Sequence, residues 1–173
     1  MRTLVTGGVR SGKSRHAEGL LEAEQVVTYV AAGPVYDDAD WAARVAAHKE
    51  RRPATWSTEE TRDLAGVLRR ASGPVLVDCL GTWLTGLIDE AGLWEAPVGE
   101  VEQHVLGRLD ALTAALGDAV APVVLVTNEV GLGVVPEHRS ARLFRDLLGT
   151  INQRVAAVCD EVHLVVAGRV LRL

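Results

Sequence analysis

Short, continuous apolar runs alternate with stretches whose apolar positions recur every three or four residues. Thr3-Leu4-Val5-Thr6, Gln25 to Ala31 (QVVTYVA), Val75 to Leu80 (VLVDCL), Val123 to Thr127 (VVLVT) and Val162 to Val166 are the apolar runs. Their length and β-branched content predict strands, and their continuity predicts strands buried on both faces. Between them, residues 13–24 predict a helix with Ala17, Leu20 and Leu21 on one face. Asp37 to Arg52 predicts another, opened by acidic residues and closed before Pro53. Ser57-Thr58-Glu59-Glu60 matches a capping box and predicts a helix running to about Ala71. Residues 81–94 predict a helix interrupted by glycine. Val98, Val101, Val105, Leu109, Leu112 and Leu116 stripe one long helix; Leu143, Leu147, Ile151, Val155 and Val158 stripe another.

Breakers fall where such elements need ends: Gly33-Pro34, Gly73-Pro74, Ala96-Pro97, and a loop from Asn128 to Glu137. Ala167-Gly168 turns the chain into a last strand, Arg169 to Leu173, expected at an antiparallel edge. Strand and helix alternating throughout mean an α/β fold, with a mostly parallel sheet flanked by helices on both faces. The 173 residues suffice for one core, and residues 1–173 read as a single domain without repeat or linker. In such a sheet the site lies beyond the carboxyl ends of the strands. The segments ending there are Gly7 to Ser14, residues 31–36, Asp78 to Thr82 and Thr127 to Gly133.

The first of these carries the chemistry. Gly7-Gly8-Val9-Arg10-Ser11-Gly12-Lys13-Ser14 is G-x-x-x-x-G-K-S between a strand and a helix, the context a phosphate-binding loop requires. Its glycines let successive N–H groups turn inward toward phosphate oxygens, and the following helix adds its positive end. Lys13 suits the β and γ phosphates, and Ser14 suits Mg²⁺. A nucleoside triphosphate, ATP or GTP, is the implied ligand.

Composition narrows the rest. A net charge of -5 argues against nucleic-acid binding. No run approaches a membrane span, and no export signal is visible ahead of the glycines at position 7. Cys79 and Cys159 lack metal-ligand spacing and read as reduced thiols of a cytoplasmic protein. Only two of the 18 basic residues are lysines, Lys13 and Lys49.

Other candidates have two readings each. Asp78 ends an apolar strand, and either caps a turn or holds Mg²⁺. His48 has Arg44, Arg51 and Arg52 three or four residues away on the predicted helix. That is either a solvated basic face or a neutral imidazole nucleophile among phosphate-binding cations. Glu60 fits the capping box; a carboxylate can also pair with the N1 and N2 hydrogens of guanine. Asn128 and Glu129 form either a turn or a substrate contact. His16 lies just after the loop, near a base or a subunit contact. His104 and His163 read as structural, and His138 is open.

Taken together, TGGVRSGKSRHAE, RVAAHKERRPATW and VVLVTNEVGLGVVPEHRSARLFRDLLGTINQR resemble the bifunctional adenosylcobinamide kinase / adenosylcobinamide-phosphate guanylyltransferase family of cobalamin synthesis. The resemblance runs in order over nearly the whole chain. It implies a P-loop domain of RecA-like type, usually a homotrimer. It implies phosphorylation of adenosylcobinamide, then transfer of GMP from GTP to adenosylcobinamide phosphate through a covalent GMP-histidine. It carries that histidine onto His48. It carries the nucleotide contacts onto Gly7 through Ser14, onto Ala31, Ala32 and Gly33, onto Lys49, Glu50, Arg51 and Arg52, and onto Glu60. Asp78 stands where the family often has Glu, and Gly33 where a small hydroxyl residue is common. A single-activity P-loop kinase and a non-catalytic nucleotide-binding module are the rival readings.

Overall fold

The computed structural model describes residues 1–24, 26–34 and 52–173. Their seven strands form one sheet in the order β3-β2-β4-β5-β1-β6-β7. The strands are β1 (Arg2–Gly7), β2 (Thr28–Ala31), β3 (Ser57–Glu60), β4 (Val75–Asp78), β5 (Val123–Val126), β6 (Glu161–Val166) and β7 (Arg169–Arg172). Every pairing is parallel except β6 with β7, which is the antiparallel edge expected from the Ala167-Gly168 turn. The architecture is α/β, a mostly parallel sheet with helices on both faces.

The helices are α1 (Lys13–Gly19), α2 (Leu64–Arg70), α3 (Leu80–Ala91), α4 (Val98–Gly117) and α5 (Arg139–Ala156). One sheet face packs against α2 to α5. Leu4, Val30, Val77 and Leu125 meet Leu64, Leu84, Leu109 and Leu148 there. On the other face Val5, Leu76, Val124 and Val126 meet Ala17 and Leu21 of the α1 segment. β1, β2, β4 and β5 thus bury alternate side chains on opposite faces, which is why those runs are apolar throughout.

Several expectations need correcting, and one lies outside the described residues. Ser57 to Glu60 does not open a helix. It is the edge strand β3, paired Thr28↔Ser57 through Ala31↔Glu60. Sheet pairing with β2 takes up the backbone groups that a capping box would have served. The helix starts at Leu64 instead, capped by Asp63, whose carboxylate accepts the Gly66 N–H at 3.0 Å. The strand expected over 75–80 stops at Asp78; Cys79 caps α3 through Thr82, so α3 begins at Leu80 and ends at Ala91, where Gly92 takes a left-handed conformation. The helix expected over 13–24 ends at Gly19 and gives way to turns. Of the predicted helix from Asp37 to Arg52, only Arg52 is described; it lies in a bend.

Candidate active site

The loop leaving β1 is braced from three sides. Arg10 and Gly12 both adopt positive φ, 55° and 98°. Gly12 thereby hands the chain to α1 at low cost, and its carbonyl accepts the His16 N–H at 3.0 Å. From the β6-β7 turn, Gly168 N–H donates to the Ser11 carbonyl at 2.8 Å. From the end of β5, Glu129 N–H donates to the Gly7 carbonyl at 3.2 Å. Gly7 has no room for a side chain: a Cβ there would come within 2.4 Å of the Val165 carbonyl oxygen. Lys13 folds back on the loop, its Nζ donating to the Gly8 carbonyl at 3.1 Å. That ammonium is held where phosphate oxygens would arrive, and can exchange a carbonyl for them. Ser11 Oγ is buried with no partner among the described residues.

A second group sits at the ends of β2, β3 and β4. Ala31 is in register with Glu60 on one side and Asp78 on the other. Ala31, Ala32 and Gly33 therefore leave the sheet between two carboxylates. A Cβ on Gly33 would come 3.0 Å from Thr82 Cβ, so a larger residue there would require Thr82 to shift. Asp78 Oδ2 accepts from the Tyr29 hydroxyl at 3.2 Å. The Arg52 guanidinium lies 3.5 Å from the centre of the Tyr29 ring, and its Nη1 donates to Thr58 Oγ1 at 3.3 Å. Burial, first of all, and then the Asp78 charge push the Tyr29 phenol far up, so it stays a donor. Arg52 is thus the described end of the basic segment, tied by Tyr29 to the strand-end acid. His48, Lys49, Glu50 and Arg51 lie outside the described residues.

Two further links were not apparent in the sequence. Thr127 donates to Asn152 Oδ1 at 2.6 Å, and Asn152 Nδ2 donates to the Asn128 carbonyl at 3.0 Å. Asn152 of α5 thereby fixes the end of β5 beside the loop. On the α1 face, His16 and the fully buried His163 pair at 2.9 Å.

Asp78 and Ser14 are hard oxygen donors suited to Mg²⁺. Among the described residues no three His, Cys, Asp or Glu side chains gather around one point. The donor set therefore fits a metal that takes its remaining oxygens from phosphates and water, as Mg²⁺ does. β5 stands between β1 and β4, so loop and acid are about 10 Å apart across the sheet, room for phosphates between them.

Residues 3–173 match the family described as cobinamide kinase / cobinamide phosphate guanyltransferase. The chain belongs to this family. Among curated relatives, the bifunctional adenosylcobalamin biosynthesis protein CobU of Salmonella typhimurium is 45% identical, covering 97% of each chain. CobU of Escherichia coli is 43% identical with the same coverage. CobP of Pseudomonas aeruginosa is 42% identical, covering 97% of this chain and 94% of its own. Among solved structures, the P4 protein from bacteriophage phi6 in complex with ADP aligns with a TM-score of 0.41 at 17% identity, over 98% of this chain and 52% of that one. Among the described residues no helix is long and apolar enough to cross a membrane.

Proposed function

We propose that this chain phosphorylates adenosylcobinamide with ATP or GTP, then joins GMP from GTP to the new phosphate. The products of the second step are adenosyl-GDP-cobinamide and pyrophosphate. The observation that carries this reading is the common sheet edge shared by the phosphate loop, Ala31 to Gly33, Glu60 and Asp78, in a chain of this family.

In the kinase step the loop N–H groups and Lys13 hold the triphosphate with its γ phosphorus toward the acceptor hydroxyl. The terminal bridging P–O bond breaks as the acceptor oxygen bonds to phosphorus, nucleoside diphosphate leaves, and the hydroxyl proton passes to water. Mg²⁺ near Ser14 and Asp78 would neutralise charge on the phosphates. In the guanylyl step a ring nitrogen of His48 attacks the α phosphorus, and pyrophosphate leaves. A phosphate oxygen of adenosylcobinamide phosphate then attacks the same phosphorus and displaces the histidine. Lys49, Glu50, Arg51 and Arg52 follow His48 in sequence, and Arg52 reaches the Tyr29–Asp78 pair. Glu60 stands beside Ala31 at this edge, in β3 rather than in a helix cap, and is the carboxylate that would pair with guanine. A homotrimer working in the cytoplasm is part of the same reading.

The test is to incubate the protein with Mg²⁺ and GTP labelled on the α or the γ phosphate, then denature it. Label retained from α only, lost in acid and stable in base, is the expected phosphoramidate. His48→Ala should abolish it yet retain transfer of the γ phosphate to adenosylcobinamide. Loss of both activities in a folded His48→Ala protein would overturn this division of labour. Absence of retained label in the parent protein would leave a simple kinase or a binding module.

A further inference from the structure

Beside the loop that follows β5 lies an open recess of about 360 Å³. Trp94, Val130, Pro136, Ala141, Phe144 and Arg145 line it, so its walls are largely apolar. Three arginines spaced three apart on α5 hold those walls. Arg139 donates to the Trp94 and Ala96 carbonyls at 2.7 and 2.5 Å. Arg142 donates to the Pro136 carbonyl at 3.1 Å, and Arg145 Nη2 to the Gly131 carbonyl at 2.8 Å. Arg145 Nη1, by contrast, is buried without a partner among the described residues. A charged donor in that position is costly unless something accepts from it.

The recess is coupled to the phosphate loop. Gly7 accepts from Glu129 N–H at 3.2 Å, Glu129 Oε1 accepts from Gly131 N–H at 2.6 Å, and the Gly131 carbonyl accepts from Arg145. Between these points the loop exposes Leu132, Val134 and Val135, at 90%, 94% and 66%. Apolar side chains so exposed beside a catalytic edge mark a contact surface.

We propose that this recess seats one edge of the corrinoid acceptor, the Arg145 side chain turning so that Nη1, buried and unpartnered in the free chain, donates to a carboxamide oxygen on the macrocycle's rim. The inference rests on the function proposed above. Cobinamide presents the matching chemistry: an apolar, methyl-bearing ring fringed with amide arms. The volume suits a rim segment rather than the whole ring. The aminopropanol arm would then extend along the loop toward Gly7 and the nucleotide.

Equilibrium dialysis of the full chain against adenosylcobinamide, read by corrin absorbance, tests this. Ala141→Trp fills the recess, and Arg145→Gln removes the charged donor. Each should weaken corrinoid binding at least about tenfold, the scale of one charged hydrogen bond. Thermal midpoint and sedimentation mass serve as controls; if Ala141→Trp fails to fold, Ser140→Trp narrows the same recess from its exposed side. Undiminished binding by folded variants overturns the inference alone. A variant whose sedimentation mass changes shows instead a contact between copies of the chain, and also overturns it. A parent protein that binds no corrinoid overturns the functional reading and this inference with it.

Discussion

His16 Nε2 stands 2.9 Å from His163 Nδ1, and His163 Nε2 stands 2.9 Å from the Glu161 carboxylate. A carboxylate can only accept, so His163 Nε2 carries a proton and its Nδ1 receives the His16 Nε2–H. Burial, first of all, and then electrostatic repulsion from the His163 and Arg172 side lower the His16 pKa below 6.5. The unfolded chain therefore binds a proton that the folded one resists. Stability from this source is complete above about pH 6.5 and falls as pH drops below it. The thermal midpoint should decline from pH 7 toward pH 5, and His16→Gln should flatten that decline. An unchanged slope in the variant would remove His16 from the account.

Lys13→Ala should impair both the γ-phosphate transfer and the guanylyl transfer, each by about 10² or more, because it removes the cation facing the triphosphate. The fold should survive, since Lys13 Nζ makes a half-exposed contact with the Gly8 carbonyl and packs no core. Comparing both rates in one preparation decides this; selective loss of one step would mean the two reactions use separate phosphate sites.

Tyr29→Phe should raise the Mg²⁺ concentration needed for half-maximal rate several-fold. The variant keeps the ring under Arg52 but deletes the hydroxyl that orients Asp78, and hydrogen bonds to charged groups are worth about 1.5–3 kcal/mol at their strongest. A Mg²⁺ titration of initial rates would reveal it. Asp78→Asn should shift the same curve further.

Asp63→Ala should cost about 1 kcal/mol of stability through loss of the α2 cap. For a domain of this size that is a fall of about 2–4 °C in thermal midpoint. Ser57→Ala, at the site expected to cap but found in an edge strand, should change stability far less. The reverse ranking would contradict the position of the helix start.

The phosphate loop, Asp78 at a strand end and the striped helices α4 and α5 were legible in the sequence because each is written in contiguous residues with one period. Ser57 to Glu60 was misread for the opposite reason. Four polar residues satisfy a helix cap locally, and only the distant β2, which the local pattern does not contain, recruits them into the sheet. The roles of Tyr29 and Asn152 and the pairing of His163 with His16 escaped notice for the same cause. Their roles are set by partners on other elements, so nothing in their own neighbourhoods marks them.

The central position of β1 bears on how the protein is made. Of the seven described strands this one is made before the other six, yet among the described residues it pairs with β5 and β6, whose partners begin at Val123 and Glu161. The brace from Gly168 to Ser11 arrives later still. A ribosome-bound fragment ending before these residues contains the full G-x-x-x-x-G-K-S signature but lacks the strands that shape it. Long-range pairing of this kind folds late and slowly. Nascent fragments should therefore gain no protection from nucleotide until β6 and the Gly168 turn have emerged, and until then the cell must shelter an apolar strand that has no partners.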